Sequence, residues 1–252
     1  MGNGSSQDDL DKVGYRVLGV QASSPSAKVG LVSFFDFIVA ANDVELRTLD
    51  TTFIDMIKEH EDKELHLKVY NCKNNSLRDV VLTPSKKWPG EGMLGVTIRF
   101  DTFCDADEHL CHVLEVEPDS PADLAGLQAG TDYLLGTTEK VFKDTDILFE
   151  ELKESVDRPV EFYVYNSETD NVRVVVIMPN ADWGGVGILG ANVAHGLLHG
   201  LPSKCCDTLG SSSEGSLRSV LTPPKTGEAE ENGGGVPEAK AGEEAGSSTA
   251  SK

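Results

Sequence analysis

The chain contains one pattern twice, and this repeat constrains the fold more than any other feature. Short motifs of the first half return 96 positions later: Val17-Leu18-Gly19-Val20, Ser24-Pro25, Gly30-Leu31 and Asp36-Phe37 become Val113-Leu114-Glu115-Val116, Ser120-Pro121, Gly126-Leu127 and Asp132-Tyr133. After one deleted residue the offset is 95: Tyr70-Asn71, Arg78, Trp88, Gly90, Gly92 and Leu94-Gly95 become Tyr165-Asn166, Arg173, Trp183, Gly185, Gly187 and Leu189-Gly190. Solenoid repeats have periods of about 20–50 residues, so each copy is predicted to be a small domain.

The length of 252 residues accommodates two such domains and a tail. We expect an N-terminal segment (1–12), two domains (13–107 and 108–202), each with a modest core of its own, and a disordered tail (203–252). From Ser203 onward the sequence has no aromatic residue and is rich in Gly, Ser, Glu, Ala, Pro and Lys. Such a composition is typical of segments that cannot build a core.

The charge of the chain restricts its partners. A formal net charge of -20, from 42 acidic and 22 basic residues, argues against binding to nucleic acid and against simple adsorption to anionic lipid. The five cysteines do not recur at matching positions, which favours reduced thiols and the cytosol. No apolar run approaches the roughly 20 residues that span a bilayer. The polar, acidic stretch Met1–Lys12 is not expected to be a signal peptide.

Hydrophobic periodicity predicts a mainly β fold with flanking helices (α+β). The strands are predicted at Val13–Val20, Phe37–Ala41, Leu65–Tyr70, Val80–Leu82 and Val96–Phe100, and at Val113–Val116, Tyr133–Gly136, Val160–Tyr165, Val174–Ile177 and Ala191–Ala194. Each Ser-Pro step begins a short helical turn that ends at Gly30 or Gly126. One amphipathic helix follows in each copy, because Phe53, Ile54 and Ile57 share a face, as do Leu148, Phe149 and Leu152.

The order of these elements resembles a PDZ domain that is circularly permuted. The glycine loop that begins an ordinary PDZ domain is similar to Met93-Leu94-Gly95-Val96 and Ile188-Leu189-Gly190-Ala191, which end each copy. The resemblance implies a groove where a partner's extended segment pairs with the strand after the loop, while loop amides hold its terminal carboxylate. By position, the first groove comprises Leu94, Gly95, Val96 and Ile98, facing Phe53, Met56 and Ile57, and the second comprises Leu189, Gly190, Ala191 and Val193, facing Phe149 and Leu152. Core packing is the alternative role of the helix residues.

The glycine loops also fit another motif, the dinucleotide-binding fingerprint. Gly90-x-Gly92-x-x-Gly95 has the required spacing, as does its second copy. That motif needs a helix directly after it, whose N-terminus holds the pyrophosphate. Here Val96–Phe100 is predicted to be a strand, so we predict no nucleotide cofactor, and glycine instead lets backbone amides approach a peptide carboxylate.

Together, these features resemble the Golgi reassembly stacking protein (GRASP) family. The most specific matches are Phe34-Phe35-Asp36-Phe37-Ile38, Trp88-Pro89-Gly90-Glu91-Gly92-Met93-Leu94-Gly95, Arg99-Phe100, His112-Val113-Leu114-Glu115-Val116, Asp182-Trp183-Gly184-Gly185 and Leu198-His199. Met1–Ser6 fits the N-myristoylation pattern, with Gly2 as the acceptor after removal of Met1, although a plain polar terminus has the same composition. The resemblance covers residues 1 to about 202.

The resemblance implies a function as well as a fold. Members of this family are myristoylated peripheral proteins on the cytoplasmic face of Golgi membranes. They oligomerise in trans to tether cisternae, and they bind the C-termini of golgin-type coiled-coil proteins and cargo. The alternative is a soluble PDZ adaptor that assists cargo transport or unconventional secretion without stacking. An enzyme is not expected, because no Gly-x-Ser-x-Gly or His-Glu-x-x-His motif occurs and the repeats leave no room for a catalytic domain.

Several positions depart from the family pattern or leave alternatives open. A histidine and a cysteine that family members use to share zinc with a golgin correspond to Arg16 and Asp101, so no metal site is carried over. Cys104, His109, Cys111 and His112 form an irregularly spaced run in a connecting segment, which favours a structural linker over a zinc site. In the tail, Thr222-Pro223 is a candidate phosphorylation site.

A second membrane contact is required, since a single myristoyl chain gives only marginal, reversible binding. A receptor held in a groove is one candidate, and S-acylation of Cys205-Cys206 is another. The alternative for these two cysteines is a pair of ordinary reduced thiols.

Overall fold

The computed structural model of the protein describes residues 12–213, in which each repeat builds its own sheet. In the first repeat the elements are β1 (Val13–Val20), α1 (Pro25–Lys28), β2 (Asp36–Ala41), β3 (Val44–Glu45), α2 (Thr52–Glu59), β4 (Leu65–Asn71), β5 (Ser76–Leu82) and β6 (Val96–Thr102). In the second they are β7 (Cys111–Val116), α3 (Pro121–Leu124), β8 (Asp132–Gly136), α4 (Thr145–Glu154), β9 (Val160–Asn166), β10 (Asn171–Ile177) and β11 (Ala191–Ala194), followed by β12 (Ser211–Ser212). The mainly β fold predicted from the sequence is confirmed.

Apart from the short strands β3 and β12, the two sheets have the same strand order, and this order places the last strand of each repeat at a sheet edge. The first sheet runs β5-β4-β2-β1-β6, with β3 on β2, and the second runs β11-β7-β8-β9-β10-β12. Every pairing is antiparallel except that of β10 with β12. The last strand of each repeat therefore pairs with the first, so β6 and β11 both lie at sheet edges.

The short helices start where the Ser-Pro steps predict. The hydroxyl of Ser24 accepts a hydrogen bond from the Ala27 N–H at 3.0 Å, and Ser120 does the same for Asp123 at 3.1 Å. Pro25 and Pro121 occupy the first turn, where a missing N–H costs nothing. The two copies therefore use identical helix caps.

An ion pair between a buried aspartate and a half-buried arginine occupies the same place in both repeats. Asp36, with no exposed surface, accepts bonds from both terminal nitrogens of Arg78 at 2.8 and 2.5 Å and from the Asn71 amide at 2.8 Å. In the second copy Asp132 meets Arg173 at 2.9 and 2.6 Å and Asn166 at 2.8 Å. Three of the repeated residues in each copy are therefore explained by a structural ion-pair cluster and not by a binding site.

The described residues form three apolar cores instead of two. One core belongs to each repeat, with Phe53 and Leu67 in the first and Phe142 and Phe162 in the second. The third joins the repeats and contains Leu18, Phe34, Phe35, Phe37, Cys72, Tyr133, Leu135, Tyr165, Val172 and Cys205, among others. The repeats thus share buried surface in addition to their separate cores.

The predicted start of the disordered tail is wrong for residues 203–213. Ser203–Cys205 forms a 3-10 turn, Cys205 is 3 % exposed in the shared core, and β12 pairs in parallel with Asn171 and Val172 of β10. Composition misled because the segment is held by contacts with residues far away in the chain, through its backbone and through the side chains of Cys205, Thr208 and Ser212. Residues 214–252 of the expected tail lie outside the described residues.

Between residues 12 and 213, no helix is long and apolar enough to cross a membrane.

Candidate peptide-binding grooves

Each candidate groove begins at an open sheet edge. β6 pairs only with β1, from Val96↔Val20 to Thr102↔Val13, and β11 pairs only with β7. Within residues 12–213 the outer edge of each strand has no partner strand. Such an edge presents a row of N–H and C=O groups that an extended peptide can pair with.

The glycine loop before each edge strand offers unused N–H groups. Among the described residues, the amides of Leu94 and Gly95, and those of Leu189 and Gly190, donate no backbone hydrogen bond, whereas their carbonyl groups are occupied. Gln21 and Ser26 donate to the carbonyls of Gly95 and Leu94 at 2.9 and 3.0 Å, and the second copy repeats both bonds at 2.9 Å. The loops are held by their carbonyl groups, while the four N–H groups donate no backbone hydrogen bond, and successive backbone N–H groups of this kind form anion-binding sites in other proteins.

A tryptophan explains the glycine spacing in both loops. The Trp88 indole donates to the Gly92 carbonyl at 3.0 Å, and Trp183 donates to Gly187 at 2.9 Å. A Cβ on Gly90 or Gly185 would lie 2.1 or 2.0 Å from the neighbouring ring. The predicted strand after each motif is confirmed, and the glycines make room for an indole that covers the loop.

The last glycine of each loop is fixed by backbone conformation as well as by space. Gly95 and Gly190 have φ angles of +66° and +68°, a region that favours glycine. A Cβ at Gly95 would lie 2.2 Å from the Cβ of Ser24, and one at Gly190 would lie 2.2 Å from that of Ser120. The loop and the helix N-cap are therefore one packed unit in both copies.

Of the residues predicted for the first groove, only some are half-buried, as the wall of a groove would be. Met56 and Ile57 on α2, and Val96 and Ile98 on β6, are half-buried against the first core. Phe53 is fully buried, its ring 5.2 Å from that of Tyr15, so it packs in the core and does not line the groove. Leu94 is also buried, at 6 % exposure, and its backbone N–H donates no backbone hydrogen bond.

The second groove differs more from its prediction. Ala191 and Val193 are half-buried along β11, but Leu152 is fully buried and Leu189 is 3 % exposed. Phe149 is 39 % exposed, whereas Ile147, which the sequence did not single out, is half-buried against the core. Ile147 and Glu151 lie four residues apart, and this spacing could have identified the partly buried face of α4.

Phe53 and Leu152 lie deeper in the structure than the sequence predicts, and for the same reason in both helices. An amphipathic helix points its most apolar stripe at the sheet, so the strongest periodic signal marks the core. Phe53 and Leu152 belong to that stripe, whereas a groove wall consists of the half-buried residues beside it. The prediction that Phe53 and Leu152 face the grooves is corrected accordingly.

The positions of the missing zinc ligands lie close together. Arg16 is 2 % exposed, and its guanidinium lies 3.7 Å from the Asp101 carboxylate, donates to the Phe34 carbonyl at 2.9 Å and lies over the Phe37 ring at 5.0 Å. Burial lowers the pKa of Arg16, while Cys72 and Asp101 act in the opposite direction. An ion pair therefore occupies the place where the resemblance leads one to look for metal ligands.

The residues of the connecting segment have separate partners. The Cys111 thiol, fully buried, donates to the Asp144 carbonyl at 3.4 Å, and burial raises its pKa to about 12. The His112 ring stacks on Tyr133 at 4.3 Å, whereas the Cys104 thiol contacts Asp105. No cluster of three or more metal-ligating side chains occurs in the described part of the chain.

The modification candidates fall in different environments. The Cys205 thiol is buried and donates to the Ser167 carbonyl at 3.4 Å, so its acylation is excluded while the segment is in place. Cys206 is exposed. Gly2 and Thr222 lie outside the described residues.

Two sheets, each with an open edge strand after an indole-covered glycine loop, define a tandem PDZ-like protein. The sequence matches the GRASP55/65 PDZ-like domain family over residues 5–98 and again over residues 67–204. The chain therefore belongs to this family, and the resemblance found in the sequence is confirmed.

Similarity to curated proteins extends over most of the chain. It is 38 % identical to the Golgi reassembly-stacking protein 1 of Mus musculus over 88 % of this chain and 48 % of that protein. The human protein of the same name is 38 % identical over 76 % of this chain and 43 % of its own length. An uncharacterized protein of Schizosaccharomyces pombe is 30 % identical over 79 % of this chain and 56 % of its own length. The chain spans about half the length of these relatives.

Proposed function

We propose that this chain is a peripheral scaffold of Golgi membranes. In this proposal it self-associates in trans to link adjacent cisternae, and its grooves bind C-terminal tails of golgin-type coiled-coil proteins and cargo. The main support is that both repeats keep an open edge strand beside a loop with unused N–H donors. The names of the mammalian relatives support the Golgi assignment.

Recognition would proceed by strand addition, without a catalytic step. A partner's extended tail would pair with the outer edge of β6 or β11 and place its terminal carboxylate at the Leu94-Gly95 or Leu189-Gly190 amides. Charge-assisted bonds from backbone N–H groups are stronger than neutral ones, which favours a free C-terminus. The half-buried side chains of β6 and α2 would then select apolar residues of the tail.

Membrane attachment would combine a lipid with a bound protein. The N-myristoyl group on Gly2 is the proposed first contact, and a tail held in a groove is the second, because one acyl chain binds only marginally. The exposed Cys206 is a further candidate for S-acylation. Imaging of a Gly2→Ala variant tests this part, and unchanged Golgi association of that variant would contradict it.

The groove function is tested by charge substitutions at neighbouring positions of one strand. Ile98→Asp places a carboxylate against the half-buried wall of the first groove, while Thr97→Asp places the same charge at an exposed position of β6. Val193→Asp and Asn192→Asp form the matched pair in the second groove. We expect Ile98→Asp, Val193→Asp or both to abolish tail binding and the oligomers that sedimentation detects. The controls Thr97→Asp and Asn192→Asp are expected to leave both unchanged. Equal effects of the half-buried and the control substitutions would contradict the proposal.

A soluble tail-binding adaptor is the second candidate. The free loop amides account for capture of a C-terminal tail without any self-association. Sedimentation of the intact chain distinguishes the two: an adaptor stays monomeric and still binds tail peptides, whereas a tether forms oligomers that Ile98→Asp or Val193→Asp disrupts.

A further inference from the structure

Residues 203–213, here called the strap, lie across the junction between the two repeats. On the first repeat, the Ser33 N–H donates to the Ser212 hydroxyl at 2.8 Å, and the Asn71 amide donates to the Leu209 carbonyl at 3.3 Å. On the second, the N–H of Ser213 donates to the Val172 carbonyl at 2.7 Å. The strap therefore forms hydrogen bonds with both repeats.

One buried lysine organises the centre of this junction. The Lys73 side chain has no exposed surface, and its ammonium donates to the Cys205 carbonyl, to the Thr208 hydroxyl at 2.9 Å and to the Asp170 carboxylate at 2.9 Å. The Thr208 hydroxyl donates in turn to Asp170 at 2.6 Å. Because a buried ammonium needs acceptors, the strap supplies two of the three partners of Lys73.

The strap fits its slot only partly. A surface pocket of about 240 Å³ is lined by Gly210–Ser213 of the strap and by Val20, Ala27, Gly30 and Leu31 of the first repeat. β12 also covers only Asn171 and Val172 of β10, so the outer edge from Arg173 to Ile177 has no partner strand in the part of the chain that is described. The edge of β10 is therefore longer than the segment that pairs with it.

We propose that this junction is a third peptide-binding site, separate from the two grooves, and that the strap is its resident ligand in cis. The ligand class is an extended peptide with small polar side chains that pairs in parallel with β10 and offers a carbonyl and a hydroxyl to Lys73. The strap suits this role because it follows the last strand of the repeats and is joined to them through the exposed Gly200.

The test opens the connection while the chain is already folded. A protease recognition sequence is inserted between Pro202 and Ser203 of the full chain, and the purified protein is cut. A labelled peptide with the sequence of residues 203–213 is then titrated by fluorescence anisotropy. We expect saturable binding to the cut protein and none to the uncut protein, where the covalent strap competes.

Variants of the two sides show whether the contacts described here carry that binding. Thr208→Val in the peptide removes an acceptor without touching the folded protein, and Lys73→Met in the protein removes the ammonium. Each is expected to weaken binding by about tenfold or more, since both break charge-assisted bonds. Lys68→Met, at an exposed position of β4, is the matched control.

Three results would overturn the proposal. The cut strap fragment could fail to exchange at any peptide concentration, which would make it part of the core. The peptide could bind cut and uncut protein equally, or could be insensitive to Thr208→Val, which would make binding non-specific. Finally, an intact-chain dimer held by exchanged straps, detected by cross-linking of two differently labelled copies, would replace the cis assignment by a second copy.

Discussion

The two grooves share a backbone but differ in what lines them. In the first, β6 has seven residues and is backed by the second repeat, where Arg99 donates to the Glu139 carbonyl at 3.0 Å. In the second, β11 has only four residues. In α2, the half-buried Met56 follows the buried Phe53 by three residues. In α4, Glu151 follows the buried Leu148 by three residues, and its carboxylate lies 2.7 Å from the Lys140 ammonium. The caps and loops were kept in both copies while the walls diverged, which supports different partners for the two grooves.

The largest expected effect tests whether the ion pairs Asp36–Arg78 and Asp132–Arg173 contribute equally to the stability of the two repeats. Asp36→Ala and Asp132→Ala each remove a fully buried carboxylate from a half-buried arginine and a buried asparagine, and breaking a buried pair typically costs about 3–5 kcal/mol. We expect similar losses in the free energy of unfolding, measured by urea denaturation of each variant. Asp79→Ala, at an exposed position of β5, is the control and is expected to change stability by less than about 0.5 kcal/mol. A loss at only one of the two sites would break the equivalence of the repeats.

Substitutions in the glycine loop separate backbone strain from crowding. Gly92 has a φ of +75°, and no atom lies within 4 Å of the point that an added Cβ would occupy, so Gly92→Ala should cost about 1–2 kcal/mol through strain alone. Gly95→Ala adds a clash with Ser24 and Trp88, and we expect about 1–3 kcal/mol more. Thermal unfolding measures both, and Gly190→Ala should match Gly95→Ala. Equal costs at Gly92 and Gly95 would show that the helix cap does not press on the loop.

Exchange of one wall residue tests whether the lining sets partner choice. Met56→Glu gives the first groove the residue type of the second, and an unpaired carboxylate there should weaken binding of apolar tails by about tenfold, or 1.4 kcal/mol. Ile54→Glu, on the exposed side of the same helix, serves as the control. Calorimetric titration with a tail peptide gives both affinities, and unchanged binding by Met56→Glu would remove α2 from the groove wall.

The smallest expected effect concerns Asp170, the carboxylate at the junction between the repeats. Burial by itself raises the pKa of Asp170, but hydrogen bonds from Thr208, Lys73 and Tyr165 lower it overall below its ordinary 3.8. The ionised carboxylate therefore stabilises the folded state above pH 3.8, and this contribution is lost as pH falls through the lowered value. Hydrogen exchange of the strap amides should rise at that acid pH in the natural chain, and Asp170→Asn should abolish this step. A step of equal size in Asp170→Asn would assign it to other carboxylates.

Local patterns predicted much of the fold and some of the candidate site. The bounds of β1 and β11 agree with the ranges predicted from the sequence, and the helical turns begin at the Ser-Pro steps. β3 and β12 were missed, since two-residue strands have no periodicity to detect. The PDZ resemblance implied that β6 can pair with a partner segment, whereas the depth of Phe53 relative to Met56 was not predicted.

The sequence by itself determined the repeat, the elements within each copy, the glycine loops and the family, because these depend on local spacing and on residue types that only certain backbones accept. Only the tertiary structure decided that the repeats share a third core, that Asp36 and Asp132 belong to structural ion-pair clusters, and that the strap closes the junction through Lys73. These are contacts between residues far apart in the chain. Their formation depends on which surfaces meet once the sheets have folded, and no short-range pattern records it.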